Sequence, residues 1–178
     1  MNYHTITYPD QNNGDGLRVV LWLSGCSHHC YNCQNPQTWD ANSGIPFDES
    51  AKEELFRELD KDYISGLTLS GGDPLHEANM DGVLDLVNEI RLSFPNKSIW
   101  IYSGFRWSEI FNDSVYLTKD CAGWKRREIV KQCTVMVDGR YIDSQRNPSK
   151  KWAGSDNQRV IDIQKSINNQ SIILYENS

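Results

Sequence analysis

The chain lacks a long hydrophobic run. Among its 178 residues, the longest apolar stretch near the amino end is Val19 to Leu23, far short of the about 20 residues that span a bilayer. Met1-Asn2-Tyr3-His4 offers neither the positive charge nor the apolar segment of a secretory leader, so export and membrane insertion are not expected and a cytoplasmic location is. Positive charge is also short: 18 Lys plus Arg face 24 Asp plus Glu, a formal net charge of −6. A surface that grips nucleic acid needs clustered cations for the phosphates, and this balance argues against that class. No internal repeat and no low-complexity tract interrupts the chain, and its length suits one domain, 1–178, without room for a separate substrate domain. An even cysteine count is missing too. Five cysteines without a leader make a poor disulfide framework and fit reduced thiols better.

What the chain does have is an alternation of strands and helices. Leu17 to Ser24 reads as a buried strand, because Val19 to Leu23 is apolar and Gly14, Gly16 and Gly25 bound it. Phe47 to Asp60 reads as a helix, with Asp48 as its cap, Glu49 in the first turn, and Ala51, Leu55 and Leu59 on one face. Gly66 to Ser70 is a second strand. Met80, Val83, Leu84 and Val87 carry helical spacing within Glu77 to Phe94, which Pro95 ends. Ser98 to Ser103 is a third strand. Short helices are expected at Trp107 to Phe111 and Trp124 to Lys131, then a strand at Cys133 to Val137, a turn at Asn147-Pro148 and an edge strand at Ile172 to Tyr175.

Such alternation implies right-handed crossovers and a mainly parallel sheet, an α/β fold either open or partly closed as a barrel. Ligands in these folds collect at the carboxyl ends of the strands. That rule places Cys26 to Cys33, Gly71 to Pro74, Ser103-Gly104 and Asp138-Gly139 on one edge, although they are far apart in sequence.

Cys26-x3-Cys30-x2-Cys33 puts three thiolates on one short loop directly after the first strand. A four-iron cluster normally takes four cysteines, so three leave one iron with an open position for a substrate, the logic that separates open catalytic metal sites from closed structural ones. The rival is zinc, with His28 or His29 as a fourth ligand, crowded into the same tight loop. Cys133 reads as a small core residue and Cys121 as a loop thiol. Ser70-Gly71-Gly72-Asp73-Pro74 has two readings: an ordinary strand-to-helix turn, or a backbone that lets a ligand ammonium approach closely.

With these residues together, the chain resembles the radical S-adenosylmethionine enzymes, and within them the group that activates anaerobic ribonucleoside-triphosphate reductase. The resemblance rests on Asn13 to Arg18, Ser24-Gly25-Cys26 through Cys33, Asn35, Thr38-Trp39, Gly44, Phe47 and Leu69 to His76. It continues through Ile99 to Gly104, Val137-Asp138-Gly139-Arg140, Trp152 to Ser155 and Asn157-Gln158.

The resemblance implies an incomplete (β/α) barrel whose open side admits a protein loop. It further implies a 4Fe-4S cluster on Cys26, Cys30 and Cys33 and S-adenosylmethionine as co-substrate. Tyr31, Asn32 and Gln34 are then expected near the adenine, Gly71, Gly72 and Asp73 at the methionine amino group, and Cys33, Ser103 and Gly104 along the same ligand. Its chemistry would be reductive cleavage to a 5′-deoxyadenosyl radical that makes a glycyl radical on the large reductase, with an electron donor such as reduced flavodoxin. Alternatives are activation of another glycyl-radical enzyme, radical chemistry on a small molecule, or a zinc-stabilised module without catalysis. Two segments depart from the group: 112–127, which is longer, and the tail beyond Val160.

Overall fold

A computed structural model describes residues 1–111 and 121–176. Its elements run β1 (Asn2–Asp10), β2 (Arg18–Leu23), β3 (Ile45–Pro46), α1 (Glu49–Leu59), β4 (Gly66–Gly71), α2 (Met80–Ser93), β5 (Ser98–Ser103), α3 (Trp107–Ile110), α4 (Ala122–Gln132), β6 (Val135–Asp138), β7 (Arg159–Asp162) and α5 (Ile163–Asn168). All seven strands join one sheet in the order β3-β1-β2-β4-β5-β6-β7. The middle four, β2, β4, β5 and β6, are parallel. β1, β3 and β7 are antiparallel additions at the flanks. This is the expected α/β class, with a parallel centre compatible with an incomplete (β/α) barrel.

The side chains explain why the sheet has two different faces. Val19, Leu21 and Leu23 of β2, Leu67 and Leu69 of β4, and Ile99 and Ile101 of β5 alternate onto one face, where they meet Leu55 and Leu59 of α1, Val83, Val87 and Ile90 of α2, and Ile129 and Val130 of α4. Helices cover this face, so the strands read as almost continuously buried runs. Asp48 caps α1 as expected, its carboxylate accepting the Ala51 N–H at 3.0 Å.

The intervening residues point to the opposite, inner face. There Trp100, Val135, Val137 and Val160 pack with Tyr102, Trp152, Ala153 and Tyr175. Arg18 is buried here, its guanidinium donating to Thr68 Oγ1 at 3.0 Å, Ser98 Oγ at 2.6 Å and the carbonyl of Asp15 at 3.3 Å. Desolvation lowers its pKa to about 10. It stays a cation at neutral pH, held over the Trp100 ring at 5.6 Å.

Two expectations change. The edge strand lies at Arg159–Asp162 rather than at Ile172 to Tyr175, which touches β7 through the single bridge Ile161 to Leu174. Ile172 and Leu174 face solvent while Tyr175 packs on the inner face, too little burial for the run to hold a longer strand register. The second helix starts at Met80, because residues 75–79 form a turn in which the Asn79 side-chain amide donates to the carbonyls of Ser24 and Asp73. Cys121 is a helix cap, its sulfur accepting from Trp124 N at 3.4 Å. Cys133 is fully buried, as expected. The expected extra length at 112–127 falls largely on residues outside those described. Among the described residues no helix is long and apolar enough to cross a membrane.

Candidate functional site

β2 ends at Leu23, and the chain then enters the cysteine loop. Gly25 N donates to Thr38 O at 2.7 Å and Cys26 N to Trp39 O at 3.0 Å, so the short 3-10 turn Pro36–Thr38 braces the loop from behind. His29 and Asn32 take left-handed conformations, with φ of 45° and 54°, which bend the segment back on itself between the cysteines. Cys26, Cys30 and Cys33 are half-buried free thiols.

Backbone N–H groups are turned on the sulfurs. Asn35 N donates to Cys33 Sγ at 3.3 Å. Burial pushes the Cys26 thiol up to about 11, opposed by the amides of His28 and His29. Burial also raises Cys30, opposed by the amide of Tyr141 and the charge of Arg140. A bound iron would supply the positive charge that deprotonates these thiols, and N–H groups on sulfur then stabilise thiolate ligands. Among the described residues no three His, Cys, Asp or Glu side chains are already gathered around one metal ion. The fit to an iron–sulfur cluster therefore rests on donor chemistry: three thiols on one loop, with amides aimed at their sulfurs. Of the two candidates for zinc's fourth ligand, His28 bonds Asp73 and His29 rests against Trp39 at 4.8 Å.

Asp73 is the hub between three strand ends. Its carboxylate accepts from His28 Nε2 at 2.8 Å, Gly104 N at 2.9 Å, Ser103 Oγ at 2.9 and 3.0 Å, and Leu75 N at 2.8 Å. Its backbone N–H donates to Gly25 O at 2.7 Å, and that of Gly72 donates to Leu23 O at 2.7 Å. The glycines make this approach possible. A Cβ on Gly72 would lie 2.5 Å from Gly25 O, and one on Gly104 would lie 2.2 Å from Cδ2 of His28. Asp138, at the end of β6, is likewise engaged, accepting from Trp107 N and from the guanidinium of Arg159.

On the inner face beside the loop lies a cavity of about 410 Å3. Cys30, Cys33 and Gln34 open onto it, with Ser70 and Tyr102 from the strand ends and Trp22 below. Its far wall comes from the connection between β6 and β7: Tyr141, Lys150, Trp152, Ala153, Gly154 and Gln158. Trp152 holds φ of 58° there, a left-handed conformation that a bulky residue adopts only when its surroundings impose it.

The cysteine loop, the Gly71 to Pro74 turn, Ser103-Gly104 and Asp138-Gly139 lie at the carboxyl ends of β2, β4, β5 and β6. Cys33 and Gln34 line the cavity itself, and Gly71 and Gly72 directly follow its wall residue Ser70. Asp73, Ser103 and Gly104 form the bonded hub next to it. Tyr31 and Asn32 stand exposed at the outer turn of the loop, Tyr31 at 77 %. Two features escaped the sequence reading: the far wall, whose Trp152 to Gly154 and Gln158 were noticed only as part of the resemblance, and the bond of His28 to a residue 45 positions away.

Residues 12–161 match the family model described as a 4Fe-4S single cluster domain. The chain is 40% identical over 161 residues to the anaerobic ribonucleoside-triphosphate reductase-activating protein of Enterobacteria phage T4, covering 90% of this chain and 93% of that one. It is 37% identical over 162 residues to the protein of that name from Escherichia coli (strain K12), covering 90% and 97%. The corresponding Vibrio cholerae protein is 36% identical over 162 residues, with the same coverage.

Proposed function

The chain belongs to the family of anaerobic ribonucleoside-triphosphate reductase-activating proteins, and from that premise we propose that it is the radical-generating activase of such a reductase. Cys26, Cys30 and Cys33 would hold a four-iron four-sulfur cluster, and the cavity onto which Cys30 and Cys33 open would take S-adenosylmethionine. When bound, the cluster supplies one electron that breaks a carbon–sulfur bond of S-adenosylmethionine, giving methionine and a 5′-deoxyadenosyl radical that takes a hydrogen atom from a reductase glycine.

The observation that carries this reading is the shared cavity of cluster loop and strand ends. At about 410 Å3 it is in the range of small-ligand sites. Trp22, Tyr102 and Trp152 offer flat walls for a nucleobase, and Asn13, Gln34 and Gln158 offer polar groups around them. The turn Ser70-Gly71-Gly72 is assigned to the methionine end. Asp73, with its carboxylate occupied by four protein donors, supports that turn from behind. Tyr31 and Asn32 are assigned to the adenine side at the mouth. In this reading the reductase loop covers the cavity and excludes water from the radical. Glycine suits that loop because its alpha carbon can approach without a side chain in the way. A reduced flavodoxin-type protein is the proposed electron donor.

The test is an anoxic mixture of this protein, S-adenosylmethionine, a reductant and the cognate reductase, read by electron paramagnetic resonance. The expected result is a doublet on the reductase that disappears when its radical glycine is changed to alanine. Methionine release with no radical on the reductase would overturn the assignment of partner.

A further inference from the structure

His28 lies between Cys26 and Cys30, yet its side chain is 4% exposed and turns away from solvent into the protein. There it meets three separate parts of the fold. Nε2 donates to Asp73 at 2.8 Å, on the turn after β4. The ring stands edge-on to Phe105 at 4.7 Å and lies so close to Gly104 that a single methyl group there would strike it, both on the turn after β5. Behind this layer, Arg126 of α4 rests on the Phe105 ring at 4.2 Å and donates to Leu75 O at 3.0 Å. The partner carboxylate is 2% exposed and already takes three other donors. A buried carboxylate with all its donors in place holds its position closely, because losing any one leaves a charge poorly paired.

We propose that His28 is a positioning residue of the cluster site: its bond to Asp73 sets the separation between the cysteine loop and the Ser70-Gly71-Gly72 turn. The inference rests on the functional reading above. A ligand that chelates a cluster on the loop and is also held on that turn must span this separation. Two of the three thiols flank His28 in sequence, so tilting its ring out of the Gly104 pocket moves Cys26 and Cys30 relative to the turn. The three thiols themselves stay on the loop, so cluster assembly needs His28 less than ligand chelation does.

The experiment compares the full chain with His28→Ala and His28→Gln after anoxic reconstitution. Iron and sulfide are counted, S-adenosylmethionine affinity is measured by equilibrium dialysis, and the spectrum of the reduced cluster is recorded with and without S-adenosylmethionine. Gln keeps an N–H donor near the place of Nε2. All three proteins are expected to load the same iron. His28→Ala should lose roughly tenfold or more in affinity, the scale of one hydrogen bond to a buried charge, and the spectral change on adding ligand should fade. His28→Gln should recover affinity to within about threefold.

Equal affinity and an equal spectral change in His28→Ala would overturn the inference, as would a Gln variant no better than Ala. If His28→Ala fails to load iron, His28→Asn takes its place, because the Asn donor falls short of Asp73. Gln behaving as the parent and Asn not doing so supports the inference, and Asn matching Gln overturns it. A parent protein that loads iron but whose spectrum ignores S-adenosylmethionine overturns the functional reading instead, which separates the two failures.

Discussion

At the scale of single residues, the five cysteines divide by surroundings. Changing Cys26, Cys30 or Cys33 to Ala should abolish or cripple iron loading, whereas Cys121→Ala and Cys133→Ala should load as the parent does, by iron analysis of all five variants. Cys133 serves the core: it is fully buried, and burial pushes its thiol up to about 12 from 9.0. The unfolded chain therefore ionises this thiol first, so its contribution to stability is complete below pH 9 and is lost as pH rises toward 12. Urea unfolding should show Cys133→Ala about 1 kcal/mol less stable at pH 7, with the gap narrowing as the pH is raised past 9. A constant gap would mean that the thiol is not held neutral.

Gly72 matters for a different reason from the one its motif suggests. A β-branched side chain there meets the Gly25 carbonyl before it meets any ligand. Gly72→Val should thus displace the cysteine loop, lowering both iron content and thermal midpoint. Normal iron with only S-adenosylmethionine binding lost would return the glycine to a pure ligand-approach role.

At the scale of elements, the legible part was the part whose burial is periodic. β2, β4 and β5 are apolar runs under helices, and α1 has a cap and a single apolar face, so local pattern and tertiary position agree. β1 was not legible because its burial alternates poorly, interrupted by shifts in register between Tyr3 and Thr5 and again between Thr7 and Asp10. β3 has two residues, and β7 has two apolar residues between Arg159 and Asp162. In the site, the cysteine spacing is local and could be read directly. The far wall is more than a hundred residues from the cysteines, and only the antiparallel return of β7 onto β6 brings Trp152 to them.

The segment after α5 is also non-local, and it reaches the inner face. Tyr175 packs edge-on against Trp100 at 5.2 Å and Trp152 at 5.8 Å, and its hydroxyl donates to Asp15 at 3.1 Å. Tyr175→Ala should cost about 1–3 kcal/mol in denaturant unfolding, the range for losing a partly buried aromatic. Tyr175→Phe should keep most of that and lose about 1 kcal/mol for the hydrogen bond. A Tyr175→Ala protein as stable as the parent would show that this segment does not brace the cavity wall.

At the scale of the whole molecule, an unclosed barrel leaves two sheet edges. One ends in β3, which pairs only with Asn2 and Tyr3 of β1, and the other is the four-residue β7, which carries charge at each end. Short, charged edges discourage pairing with a second sheet. The parallel centre, by contrast, is built entirely from distant pairings: Arg18 lies beside Gly66, and Gly66 beside Ser98. Such contacts form only after long loops have closed.

The bond from Tyr175 to Asp15 joins positions 160 apart. During synthesis the cysteine loop emerges well before Tyr175, which packs on the opposite wall at Trp152. A growing chain therefore presents its thiols before the aromatic cluster at the far wall of the cavity can form.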